Sequence, residues 1–185
     1  MEIRNLTKAF GDKMIFKDFS ATIPDCKVSF IMGESGSGKT TLLRIILGLD
    51  KDFSGEIIKS GDRISTVFQE PRLFEALNVK QNLEIVEKGS SLSIDEILDI
   101  VELNGEDGTY PDNLSGGMKM RLALARAIYY NGDIFVMDEP FSALDENMKE
   151  RIIPKALSIL KGKTVIIVSH NSEDAKLYAD HIINI

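Results

Sequence analysis

Apolar positions along the chain follow two rhythms. Short runs rich in Ile, Val and Phe cover 3–10, 19–23 and 27–32, and Gly11-Asp12 and Pro24-Asp25 separate them. Such runs bounded by turn residues predict strands. After Met32 comes a glycine-rich stretch, then a helical pattern over 39–47 that Gly48 ends. Two further strands are expected at 55–59 and 64–68. From 71 to 131 the pattern is helical. Ser93-Ile94-Asp95-Glu96 has the form of a capping box opening a helix over 94–103, and 115–130 reads as a second helix. The last third alternates again: a buried strand at 134–137, a helix at 147–160 that Pro154 should kink or divide, and a buried strand at 164–168. Continuous apolar strands alternating with helices predict an α/β fold whose mostly parallel sheet is covered on both faces. The expected organisation is one domain, 1–185. Segments 1–70 and 132–185 form a core that includes an N-terminal antiparallel β part, and 71–131 forms a helical subdomain.

Composition narrows the function classes. The chain has 185 residues, 43% hydrophobic and 28% charged, enough for one domain with a sizeable core. A net charge of −7 disfavours non-specific contact with nucleic acid or anionic lipid, so no nucleic-acid partner is expected. Phosphates can still bind at a local, pre-shaped site. The single cysteine, Cys26, excludes an intrachain disulfide. The first ten residues lack the apolar core of a signal peptide. No apolar run approaches the roughly 18–20 residues of a membrane span, so any link to a membrane is expected to run through a partner.

Gly33-Glu34-Ser35-Gly36-Ser37-Gly38-Lys39-Thr40 fits the phosphate-loop pattern G-x-x-x-x-G-K-[ST], with a strand before it and a helix after it. Glycines let the backbone fold tightly enough for its N–H groups to face phosphate oxygens, and the helix N-terminus adds positive potential. Lys39 is placed to reach the β- and γ-phosphates, and the Thr40 hydroxyl to ligate Mg²⁺. The apolar strand at 134–137 runs into Asp138-Glu139. A buried strand delivers its C-terminal residues to the ligand crevice of such a sheet. Asp138 there would hold Mg²⁺, and Glu139, pointing differently, would accept a proton from an attacking water. His170 and Gln69 each follow a predicted strand. His170 could reach the γ-phosphate, and Gln69 could ligate Mg²⁺ or orient water; spacing alone leaves a structural role open for both.

Leu114-Ser115-Gly116-Gly117-Met118, at the head of a helix and shortly before the Asp-Glu strand, resembles the signature of ATP-binding cassette (ABC) ATPases. The resemblance covers essentially the whole chain. It implies an ATPase subunit of an ABC transporter using ATP and Mg²⁺, with Phe10 stacking on adenine and Gly33 to Thr41 as the Walker A loop. Gln69 would be the Q-loop residue, Asp138 the end of Walker B, Glu139 the catalytic carboxylate, Ser142 to Asp145 the D-loop and His170 the switch histidine. Ser115 and the N–H groups of Gly116 and Gly117 would close over ATP held by a second copy of the chain, making an ATP-sandwich dimer. The implied partners are an integral membrane transport subunit and, indirectly, a solute-binding protein. The implied location is the cytoplasmic face of the cell membrane. Phe68-Gln69-Glu70-Pro71-Arg72-Leu73, LSGGM and MDEPFSALD resemble importers of nitrate, sulfonates, taurine and similar small anions or of thiamine precursors.

The sequence departs from that family at several points. The stretch 48–69 is short, and the chain ends soon after His170, so a C-terminal regulatory domain is expected to be absent. Cys26 stands where a turn glycine is usual, Met120 where glutamine is common, and Asn171 where aspartate usually follows the histidine. Two rival functions fit the same motifs: a soluble ABC ATPase acting on nucleic acid or ribosomes, and a nucleotide-binding module with little turnover. The absence of a second cassette or coiled-coil insert argues against the first, and the intact Lys39, Asp138 and Glu139 argue against the second.

Overall fold

A computed structural model describes all 185 residues. Eight strands form two sheets. The first is three-stranded and antiparallel, ordered β2-β1-β4, from β1 (Glu2–Phe10), β2 (Lys13–Thr22) and β4 (Ser54–Ile58). The second is five-stranded and wholly parallel, ordered β5-β6-β7-β3-β8. Its strands are β3 (Val28–Met32), β5 (Ile64–Val67), β6 (Ile134–Asp138), β7 (Thr164–Val168) and β8 (His181–Asn184).

The apolar strands are explained by burial on both faces. Every residue of β6 and β7 is buried. Alternate side chains serve two cores, as the pleat requires. Phe135, Met137, Val165 and Ile167 join the core under the helices α2 (Val79–Glu84), α3 (Ile94–Ile100), α4 (Gly116–Tyr130) and α5 (Glu146–Ile159). Ile134, Val136, Ile166 and Val168 join a second core with α1 (Lys39–Ile46) and the inner face of the antiparallel sheet, including Ile3, Leu6 and Phe16.

Three elements escape the sequence reading. The strand expected at 19–23 begins at Lys13. Most of β2 is exposed, so its outward polar residues hide the strand pattern. Helix α6 (Ser172–Tyr178) and β8 are short and half-exposed, and their pattern is too brief to read. Pro154 does not divide α5, which runs through it unbroken. Residues 150 and 154 are both exposed, so the helical bond that the proline removes lies on the solvent side of α5.

The family departures also have local explanations. Cys26 takes a left-handed φ of 57° in an exposed turn, the conformation for which glycine is the usual choice. Met120 lies in the core at 4% exposure, where a thioether packs and an amide would need partners. Asn171 caps α6, its side-chain oxygen accepting from the Glu173 and Asp174 amides at 2.9 and 3.2 Å. Aspartate would make the same cap.

Candidate nucleotide site

Parallel register brings the motif residues to one edge. Val67 pairs with Met137, Met137 with Ile167, Asp138 with Val168, and Ile31 with Val168. The C-terminal ends of β3, β5, β6 and β7 therefore lie side by side. From them emerge, respectively, the glycine loop, Gln69, Asp138-Glu139 and His170. Together they line a cleft of about 350 Å³.

The loop wraps the N-terminus of α1, and Gly38 is its hinge. Its φ of 107° is closed to most side chains, and a Cβ there would lie 2.6 Å from Ile15 Cγ2 and 2.9 Å from Phe16 Cζ. The antiparallel sheet thus presses directly on the phosphate loop. Ile15 is the extra residue of a bulge: Lys8 opposes Phe16 while Ala9 opposes Met14. Ile15 also lines the cleft; nothing in its sequence context marks it. The Lys39 ammonium donates to the carbonyls of Gly33 and Glu34 at 2.7 and 2.8 Å, which holds its side chain back along the loop.

Asp138 and Glu139 part company as their adjacency suggests. Asp138 is buried and accepts from the Thr40 hydroxyl at 3.1 Å. Burial pushes its carboxyl above the usual range; the Thr40 bond opposes this, and the nearby Glu139 charge adds to it. Glu139 adopts φ 50°, a left-handed conformation that costs a non-glycine residue about 1 kcal/mol or more. Its amide donates to the Val168 carbonyl at 3.0 Å, and its carbonyl accepts from the Ser142 hydroxyl at 2.9 Å. The turn so fixed directs the Glu139 carboxylate to His170, with 2.8 Å between Oε1 and Nδ1. The carboxylate is 11% exposed and the imidazole 73%, which puts the acid at the floor of the cleft and the ring at its rim.

Thr40, Asp138 and Gln69 offer a hydroxyl, a carboxylate and an amide, all oxygen donors suited to Mg²⁺. No group of three or more acidic, His or Cys side chains stands together to hold a metal alone. The donor set fits an ion that arrives with phosphate oxygens and water completing its shell.

The other predicted residues lie elsewhere. Phe10 ends β1 and is 53% exposed. Ser115 caps α4, its hydroxyl accepting from the Met118 amide at 3.3 Å. A Cβ on Gly117 would sit 3.0 Å from the Ala143 carbonyl, so the head of α4 abuts the loop following Glu139. Asp145 caps α5, accepting from the Met148 amide at 2.9 Å. None of these lines the cleft. Ser115, Gly117 and Asp145 thus lie outside the cleft of their own chain.

The family model for the ABC transporter matches residues 16–142. The chain belongs to that family. It is an ATP-binding, ATP-hydrolysing cassette. It is 36% identical to the sulfate/thiosulfate import ATP-binding protein CysA of Synechocystis over 98% of this chain and 56% of that one. It is 37% identical to the aliphatic sulfonates import ATP-binding protein SsuB 1 of Paracoccus denitrificans, covering 98% of this chain and 77% of that one. Among solved structures, the cassette MJ0796 in a dimeric post-hydrolysis state bound to ADP and Pi superposes with a TM-score of 0.83 at 29% identity. The match covers all of this chain and 93% of that one. The cassette has no helix long and apolar enough to cross a membrane.

Proposed function

We propose that this cassette powers import of a small oxyanion, of the sulfate or sulfonate class, through a separate membrane subunit. The observation that carries the proposal is its similarity, over nearly its full length, to import ATPases named for those solutes. Those relatives extend beyond it, the chain spanning 56% and 77% of their lengths. Two copies would bind ATP between them, each lending Ser115, Gly116 and Gly117 to the partner's nucleotide. The separation of these residues from the cleft of their own chain supports that arrangement.

Within each site the loop amides and Lys39 offset phosphate charge. Thr40, Asp138 and Gln69 would hold Mg²⁺, which supplies Lewis-acid neutralisation of the phosphate oxygens. Glu139 accepts a proton from water and positions it for in-line attack on the γ-phosphorus; the P–O bond to ADP breaks as the new one forms. His170, hydrogen-bonded to Glu139, orients that carboxylate and reaches the departing phosphate. Asp145 caps the start of α5, close after the loop that abuts the head of α4. Docked to membrane helices at the segment following Gln69, the cassette would work at the inner face of the cell membrane.

The test is purification of the tagged chain from detergent-solubilised native membranes, with mass spectrometry of what accompanies it. An integral membrane subunit, with a solute-binding protein specific for a sulfonate or sulfate, is the expected result. A preparation rich in ribosomal or DNA-repair proteins and lacking a membrane subunit would overturn the proposal.

A further inference from the structure

Phe10 is paired with a residue that strand chemistry does not explain. Lys8 lies two positions before it on β1, on the same side of the strand. It is 3% exposed, between the fully buried Leu6 and the exposed Phe10. A lysine is rarely buried without partners. Its Nζ donates to Asp50 Oδ1 at 3.0 Å, to the Asp52 carbonyl at 2.5 Å and to Asp52 Oδ2 at 3.3 Å. It also stands 4.6 Å from the centroid of the Phe10 ring, within cation–π range.

The partners of Lys8 belong to the far end of α1. Beyond Leu47, the amides of Leu49 and Asp50 both donate to the Arg44 carbonyl, at 2.8 and 3.2 Å, tying this turn to the last turn of the helix. The first turn of α1 carries Lys39 and Thr40. The helix has eight residues and so spans about 12 Å. Lys8 therefore links the exposed ring at the end of β1 to the helix that bears the phosphate-binding residues.

We propose that Lys8 is a positioning residue for the nucleobase: its ammonium, anchored on the Asp50–Asp52 turn, holds one face of the Phe10 ring so that the other is presented, pre-oriented, to the adenine. This rests on Phe10 being the base-stacking residue. The ring otherwise rotates freely at a strand end, and immobilising it on binding would cost affinity. The cation also withdraws electron density from the ring, favouring stacking on an electron-rich base.

The experiment is a calorimetric titration of the purified chain with Mg-ATP and, separately, with tripolyphosphate, which has no base. Lys8→Met is made together with Asp50→Asn, so that no half-buried carboxylate is stranded, and Asp50→Asn alone is the control. ATP affinity should fall about three- to tenfold relative to the control, and tripolyphosphate affinity should not change. Lys8→Arg should restore part of the loss. In a Phe10→Ala background the Lys8 change should have no further effect. Equal losses for ATP and tripolyphosphate, or an undiminished Lys8 effect without the ring, would overturn the proposal. Phe10→Ala with unchanged ATP affinity would remove the stacking assignment itself, a result distinguishable from failure of Lys8 alone. If the Lys8 variants do not fold, fluorination of the exposed Phe10 ring provides an independent reading. Without nucleotide, the melting temperature should fall with each added fluorine as the cation–π contact weakens, and a flat series would contradict the contact.

Discussion

Asp138 and Glu139 differ in environment though they are neighbours, and the difference is testable. The Asp138 carboxyl is raised in the folded chain by burial, so between its ordinary value and its raised one the folded state binds more protons than the unfolded state. Stability contributed by this group is therefore lost as pH rises through that window. Asp138→Asn removes the titration. The stability difference between wild type and Asp138→Asn, followed by denaturant unfolding from pH 4 upward without nucleotide or metal, should drift against the wild type as pH rises (~pH 4 is the ordinary aspartate value). A parallel pair of curves would mean that Asp138 is not held in a desolvated site. Mg²⁺ should reverse the trend, because binding to the carboxylate displaces the proton. At Gly38, alanine places a methyl against Ile15 and Phe16 at a φ of 107°. A loss of about 2 kcal/mol or more in stability is expected, with nucleotide binding abolished. Preserved ATP affinity in a folded Gly38→Ala chain would show that the loop tolerates more freedom than its packing suggests.

At the scale of the element, what sequence could reveal depended on burial. Strands β6 and β7 were legible because both faces are covered, leaving unbroken runs such as Ile134-Phe135-Val136-Met137. The Ser93 capping box was legible because its chemistry is local: Ser93 and Glu96 exchange bonds with one another's backbone amides at 2.7 and 3.2 Å. The first half of β2 was hidden, since its pairing with β1 is a long-range fact and its outward residues are polar. Ile15 was hidden for the same reason: it matters only because a bulge sets it against Gly38. Lys8 carried a signal, a lone charge between Leu6 and Phe10 on one strand face, but its partners lie more than forty residues away. Pro154 was expected to kink or divide α5, and the helix instead runs through it. Residues 150 and 154 are both exposed, so the penalty is small enough for packing of Ile152, Ile153 and Ala156 to offset it. Pro154→Ala should restore that hydrogen bond and stabilise the chain by about 1–2 kcal/mol, raising the melting temperature by several degrees. An unchanged or lower melting temperature would mean that the proline's restriction of the unfolded chain outweighs the missing bond.

At the scale of the whole molecule, one chain carries two groups of motif residues, of which only one lines the cleft. One edge of the parallel sheet gathers Lys39, Thr40, Gln69, Asp138, Glu139 and His170 into a cleft. The head of α4, with Ser115 and two glycines, lies outside that cleft. The sequence showed both motifs plainly, but could not show from spacing alone that they would be apart. The proposed dimer, assembled across ATP, would give both groups a role at one nucleotide. The measurement that tests this most directly uses Glu139→Gln with Mg-ATP, comparing molecular mass by size exclusion with light scattering and phosphate release on the same sample. A stable dimer retaining two ATP molecules is expected, with turnover reduced by about a hundredfold or more. A monomer that releases phosphate at the wild-type rate would contradict it.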